Sequence, residues 1–161
     1  MSIKIFTTGG TFDKIYFDAN SEFHIGAPMV ADLLAEANVN FDYDIESLLK
    51  MDSLDMDAAD RELIRNAIAN SDSDRILITH GTDSMVETAL FLSDIGAKTI
   101  VLFGAMQPAR MRYSDAMFNL GFACAAAQLL PPGVHLAMNG EVFDPRRVAK
   151  NRERSRFESR R

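Results

Sequence analysis

The sequence holds a single cysteine, Cys124, so no intramolecular disulfide can form. Set among alanines, that thiol reads as a small buried side chain rather than a nucleophile. Histidine is almost as scarce: His24, His80 and His135 show no metal-ligand spacing, and no metal site is expected. The longest apolar stretch, around Leu120 to Leu130, falls well short of the roughly 20 residues that cross a bilayer and contains Gln128, which argues against a membrane span. The first residues lack the basic start, apolar middle and small-residue cleavage site of a signal peptide, so the expected compartment is the cytoplasm. Neither G-x-G-x-x-G spacing nor the lysine-then-hydroxyl ending of a Walker loop occurs, and no cofactor is expected. Internal repeats, low-complexity tracts and interdomain linkers are missing as well. The 161 residues therefore read as one domain, 1–161, without a second.

The composition, 47% hydrophobic and 25% charged, is that of an ordinary globular protein. Its net charge of −6 is unevenly spread: residues 146–161 carry eight Arg or Lys against two Glu, a balance of +6, which leaves −12 on the remainder. An acidic body repels phosphate backbones, so nucleic-acid binding would rest on the tail alone and is disfavoured. The tail reads as solvated or as a subunit contact.

Apolar strands alternate with amphipathic helices. Strands are expected at Ile3–Thr7, Val39–Ile45, Arg75–Thr79, Thr99–Phe103 and Val134–Met138, with a short Glu141–Phe143 segment after a turn at Asn139-Gly140. Helices are expected from Pro28 to Ala37, from Ala58 to Asn70 behind an Asp57 cap, from the His80 cluster to about Ile95, and from a Ser114 cap to Leu130. This order predicts an α/β fold with a parallel sheet flanked by helices on both faces. Ligands in such sheets bind beyond the carboxyl ends of the strands. Three polar clusters stand there: Thr8 to Thr11, His80 to Asp83, and Gly104 to Pro108. Residues 9–26 read as a polar lid loop.

Thr7-Thr8-Gly9-Gly10-Thr11 lets the chain turn sharply and expose backbone N–H groups beside a hydroxyl, an arrangement that suits an anion, a nucleophile or simply a tight turn. In His80-Gly81-Thr82-Asp83-Ser84-Met85 a hydroxyl and a carboxylate meet at a strand-to-helix junction. Helix capping accounts for part of that string, and His80 reads as structural ahead of the alternative of a general base.

Taken together and in order, Thr8-Gly9-Gly10-Thr11 and Ile78-Thr79-His80-Gly81-Thr82-Asp83-Ser84-Met85 resemble the paired signatures of bacterial-type L-asparaginases and glutaminase-asparaginases. The resemblance extends through Gly104-Ala105-Met106-Gln107-Pro108, Phe118-Asn119-Leu120 and Phe143-Asp144-Pro145-Arg146-Arg147-Val148-Ala149-Lys150. It implies a threonine nucleophile at Thr11, an activating set of Thr82, Asp83 and Lys150, and a substrate site that includes Gly10, Ser53, Thr82 and Asp83, with Ser53 helping to hold the substrate's α-carboxylate and Asp83 also contacting its α-amino group. The implied reaction is hydrolysis of asparagine, with glutamine as a side substrate, in a homodimer or homotetramer without metal or cofactor. Members of the family about twice this length have a second domain, carry glutamine where Leu54 follows Ser53, and have a tyrosine near Phe23. Tyr16, the one tyrosine in residues 9–26, is assigned the loop-hydroxyl role on that resemblance, with packing as an aromatic anchor the alternative. A carboxamide is a poor electrophile, and a covalent acyl-enzyme splits its hydrolysis into two easier steps. Two other readings stay open, an amidase component of a tRNA-dependent amidotransferase assembly and a non-catalytic ligand-binding module.

Overall fold

A computed structural model describes residues 1–17 and 22–160. Along the chain the elements are β1 (Ser2–Gly9), β2 (Lys14–Phe17), β3 (Glu22–Ile25), α1 (Val30–Glu36), β4 (Asp42–Met51), α2 (Ala58–Ala69) and β5 (Arg75–Thr79). There follow α3 (Met85–Phe91), β6 (Thr99–Phe103), α4 (Ala116–Leu129), β7 (Gly133–Met138), β8 (Glu141–Phe143), β9 (Val148–Asn151) and β10 (Arg156–Ser159). Among the described residues the main sheet has six strands in the order β4-β1-β5-β6-β7-β8. All its neighbours run parallel except β7 and β8, so the expected parallel sheet gains an antiparallel edge. The Asn139-Gly140 turn, with both residues at positive φ, reverses the chain there.

The central strands are apolar on both faces because helices cover both. Ile76, Leu77, Ile78, Ile100, Val101 and Leu102 are fully buried, and β5 and β6 match their expected spans residue for residue. The edge strand β4 differs: it starts at Asp42 and runs on to Met51, past the expected end at Ile45. One side of β4 is open, so charged residues alternate along it, and Lys4 on β1 bonds Asp44 (2.6 Å) and Glu46 (2.8 Å). That charge pattern hides a strand from a reading based on apolar runs. α2 begins as expected, with a reciprocal capping box between Asp57 and Asp60. α3 stops at Phe91, short of Ile95. Ser114 does receive the Ala116 N–H at 3.0 Å ahead of α4.

Described residues within the expected lid loop and the basic tail form paired strands. Residues 9–26 contain a 3₁₀ turn, Thr11–Asp13, and the β2–β3 pair, with Tyr16 opposite Phe23. The basic tail folds back as β9–β10, pinned to the core by buried Val148 and Phe157.

α1 and α4 share one face of the sheet, where Leu34, Ala37 and Val39 line a groove with Met117, Gly121 and Cys124. α2 and α3 share the other, joined by Arg61 Nε donating to Thr88 Oγ1 (3.0 Å) and Arg65 Nη2 to the Phe91 carbonyl (2.8 Å). From β1 the chain steps to β4 through α1, and from β6 it steps the opposite way to β7 through α4, over the same face. Those two connections have opposite hands. The steps through α2 and α3 share the hand of α1, so the α4 connection is the exception to the right-handed rule.

Candidate functional site

The turns after β1, β4 and β5 converge beyond the carboxyl ends of those strands, and glycine makes the approach feasible. The Gly10 N–H bonds the Met51 carbonyl at 3.0 Å, and Thr8 Oγ1 bonds the Thr79 carbonyl at 2.7 Å. A Cβ on Gly10 would lie 2.6 Å from Gly81 Cα, and one on Gly81 would lie 2.6 Å from the Ser53 side chain. Gly10 also has φ +75°. Gly10, Gly81 and Ser53 are thus stacked in direct contact, with Thr11 and Thr82 one residue further along their turns.

Thr11 is half-buried at the start of the 3₁₀ turn, and among the described residues its hydroxyl has no hydrogen-bond partner. Thr82 is buried, and its Oγ1 accepts from Lys150 Nζ at 2.7 Å. The same ammonium donates to Asp83 Oδ1 at 2.9 Å. Thr82, Asp83 and Lys150 are therefore linked directly, although 68 residues of chain separate Thr82 from Lys150. Ser53 is buried; its Oγ accepts the Ser84 N–H at 3.2 Å and keeps its own proton free for another acceptor. Asp52, next to it, is held below the usual carboxylate range by the Leu54 N–H and, less strongly, by Lys14 at 3.3 Å, against partial burial. Tyr16 stands apart from this group. It is half exposed on the β2–β3 hairpin with its ring edge-on to Phe23 at 5.4 Å.

Supporting contacts fix both partners of the Thr82–Lys150 bond. His80 is fully buried, with Nδ1 2.8 Å from the Gly81 carbonyl and Nε2 2.8 Å from Thr88 Oγ1. A carbonyl only accepts, so Nδ1 carries the proton and the Thr88 hydroxyl donates to Nε2, while accepting from Arg61. Burial pushes His80 down to about 4, so both nitrogens are committed to bracing the turn, which leaves no general base there. On the lysine side, Asp115 accepts the Met106 and Gln107 N–H groups and the Asn119 amide. Asn119 Oδ1 accepts the Asn139 N–H, and Asn139 Oδ1 accepts from Phe157 N, the residue paired with Lys150 across the hairpin. Clefts of about 460 and 610 Å³ lie against Ser2, Asp72 and Ser73, near the opposite ends of the strands. The first contains serines, carboxylates and Lys4, but that amine is paired with Asp44 and Glu46 and with no hydroxyl, whereas at the convergent turns Lys150 bonds the Thr82 hydroxyl and Asp83 together, and the chemistry is placed there.

Asp13 is not among the residues the sequence singles out, although it lies two positions after Thr11. It is buried, accepts the Met29 N–H at 2.9 Å, and is raised to about 6, chiefly because burial removes water from the carboxylate. Met29, Arg110 and Lys50 oppose that rise. A carboxyl raised in the folded state stabilises the fold fully below its unfolded value of 3.8, and the benefit is lost as pH climbs through about 6. The difference is about 3 kcal/mol. His80 works in reverse, lowering stability as pH falls from 6.5 towards 4. Denaturant unfolding should find Asp13→Asn equal to the parent at pH 3 and more stable by about 3 kcal/mol at pH 8. A constant difference at both pH values would instead assign the effect to packing.

Among the described residues no group of three or more His, Cys, Asp or Glu is placed to hold a metal ion. No helix among them is long and apolar enough to cross a membrane.

Residues 2–160 match the family model described as Asparaginase, N-terminal. The chain is 36% identical over 165 residues to a protein of Haemophilus influenzae named probable periplasmic L-asparaginase, covering 92% of this chain and 46% of that one. It is 31% identical over 163 residues to a glutaminase-asparaginase of Acinetobacter glutaminasificans, covering 92% and 49%. A shorter stretch, 52% of the chain, is 39% identical to a subunit of the glutamyl-tRNA(Gln) amidotransferase of Methanococcus vannielii, of which it covers 20%. Among solved structures, the thermostable L-asparaginase from Thermococcus kodakarensis superposes with a TM-score of 0.84 at 26% identity, over 99% of this chain and 51% of that one. The chain spans about half the length of the curated relatives matched over most of it.

Proposed function

The chain belongs to the asparaginase family, and from that premise we propose that it hydrolyses the side-chain amide of asparagine to aspartate and ammonia through a Thr11 acyl-enzyme. The observation that carries this reading is the Lys150–Thr82 bond of 2.7 Å, one residue beyond the contact of Gly81 with Gly10. In this scheme Lys150 acts in its neutral form: the Thr11 hydroxyl adds to the carboxamide carbon, Thr82 takes its proton while giving its own to the lysine amine, and the resulting ammonium is held by Asp83. The C–N bond breaks as that proton is returned to nitrogen, ammonia leaves, and the acyl group remains on Thr11 as an ester. Water adds to the ester, giving its proton to the same relay. The proton then returns to Thr11 as the C–O bond breaks and aspartate is released. The Gly10 N–H is taken by Met51, so backbone N–H groups beside Thr11 or around Thr82 are the donors for the oxyanion, a contribution of about 3 to 4 kcal/mol per donor in other enzymes.

Gly10, Ser53, Thr82 and Asp83 form the substrate side of this site, with Ser53 supplying its free hydroxyl proton to a carboxylate. Tyr16 is the loop hydroxyl, reaching the site by movement of the β2–β3 hairpin. Residues 1–161 act as one catalytic unit. Glutamine is the second substrate, and the assembly is a homodimer or homotetramer. The compartment is the cytoplasm, consistent with the buried thiol of Cys124, which burial pushes up to about 12 and so keeps unreactive. The likeness to an amidotransferase component favours one second reading, an amide-releasing part of an assembly that acts on tRNA.

A coupled ammonia assay on the purified chain tests the proposal directly. Asparagine should be consumed with one ammonia and one aspartate formed, and a trapped acyl group should sit on the peptide containing Thr11. Ammonia release only in the presence of added tRNA and a partner protein would favour the second reading.

A further inference from the structure

α4 is apolar on every side. No charged residue occurs from Ala116 to Leu130, although a helix covered on one side ordinarily carries charge on the other. Ala116, Leu120, Ala123 and Ala127 are buried against the sheet. Phe118, Phe122, Ala125 and Leu129, spaced by four, three and four residues, form a stripe on the outer side, where Phe118 is 62% and Leu129 82% exposed. The rings of Phe118 and Phe122 stack within 3° of parallel, 6.4 Å apart. A helix of this composition is normally enclosed.

Gly121 points the same way. Glycine inside a helix costs stability relative to alanine, and a Cβ here would meet no atom from another part of the chain within 4 Å. Its missing side chain therefore serves only something that approaches from outside. Beside it runs the groove of about 210 Å³ between α1 and α4. Projecting rings and a recess on one face are the condition for a surface that fits a copy of itself. A stable homodimer covers about 800 Å² on each copy, roughly 500 Å² of it apolar. At about 150 to 250 Å² for a large apolar side chain, the exposed parts of Phe118, Phe122 and Leu129 with the groove walls reach that order. No charge on α4 has to lose its water in the process.

Building on the homo-oligomer proposed above, we infer that this face binds a second copy of the chain, with the two α4 helices antiparallel about a two-fold axis between Gly121 and Phe122. In that register Phe118 lies against the partner's Ala125, and Leu129 lies near the partner's Ser114. Large side chains meet small ones, and the paired glycines let the helix axes approach closely at the centre.

Sedimentation equilibrium of the purified chain from about 1 to 100 µM should show monomers in equilibrium with dimers. Phe118→Glu should raise the dissociation constant at least about 100-fold with circular dichroism unchanged, because it puts a charge into the apolar contact. Leu63→Glu, an equally accessible apolar position on α2 across the sheet, should leave the constant where it is. Gly121→Ala should act in two directions: a higher thermal midpoint for the dilute monomer, and a dimer weakened about tenfold because the methyl groups hold the helices apart. Phe118→Ala and Ala125→Phe should each weaken association, and both changes in one chain should restore it to within about tenfold of the parent, since a large side chain again meets a small one. An oligomer indifferent to Phe118→Glu and Gly121→Ala overturns this face and leaves the homo-oligomer standing. A chain still monomeric at about 100 µM gives the face to another occupant and overturns both. Neither outcome depends on ammonia release.

Discussion

Thr11→Ala should release ammonia at least about 10⁴-fold more slowly than the parent while unfolding at the same temperature within a few degrees. The expectation of an intact fold comes from the position of the side chain. Among the described residues its hydroxyl holds no hydrogen bond, so alanine leaves no buried partner unsatisfied. The turn around it is set by Gly9 and Gly10 at φ +94° and +75°, by the Gly10–Met51 bond, and by the Thr11 carbonyl, which accepts from Lys14 N. None of these involves Oγ1. The large kinetic effect follows from its being the group that forms the covalent bond. Ammonia release should therefore collapse in the variant while circular dichroism and the thermal midpoint barely move. A residual rate within tenfold of the parent would remove Thr11 from the nucleophile role, and an acyl group trapped on Thr82 would reverse the two assignments.

Lys150→Met should cost about 10³-fold in kcat, the range of a positioned general base, and should change the pH profile, since the amine that accepts the proton is gone. Methionine keeps a long flexible stem in the half-buried slot beside Thr82. The hairpin keeps its anchors Val148 and Phe157 and the bond from Phe157 N to Asn139. What is lost is the amine that bridges Thr82 and Asp83. Asp83 still faces Arg152 at 3.2 Å, so the variant leaves no carboxylate without a cation. Ammonia release measured from pH 6 to 10, beside circular dichroism, separates the outcomes. A folded variant with the parent's rate and pH profile would show that Lys150 is not the base.

The buried strands are the most legible part of the fold. β5 and β6 are apolar runs on both faces, and nothing competes with that signal. β4 is cut short in a reading of apolar runs because an edge strand balances charge on its open side, as Asp44 and Glu46 do with Lys4. The hairpin at Lys14–Phe17 and Glu22–Ile25 resembles a loop in sequence because its strands are four residues long and β3 is largely solvated, too short for the alternation of Glu22-Phe23-His24-Ile25 to stand out. At the candidate site, the residues that sit in unbroken strings are easily noticed. Arg152 counts in the sequence only as one charge in a basic tail, since its meeting with Asp83 depends on a hairpin the composition does not reveal. The Asn119–Asn139–Phe157 chain is invisible for the same reason: each link joins single polar residues far apart in sequence.

The reversed hand of the α4 connection bears on the order in which the molecule assembles. The units built on α1, α2 and α3 follow the chain's own twist and can close as local events. α4 has to swing to the α1 side before β7 can add to β6, and until then β8 and the β9–β10 hairpin have nothing to dock against. Their pairing is also among the more distant in sequence from the first turn, which slows it further. Thr11 and Thr82 are framed by strands β1 and β5, while the amine of Lys150 comes from the hairpin beyond the α4 connection. In this topology the placement of the two hydroxyls depends on β1 and β5 near the middle of the sheet, and the placement of the amine on a hairpin that follows the one connection of reversed hand.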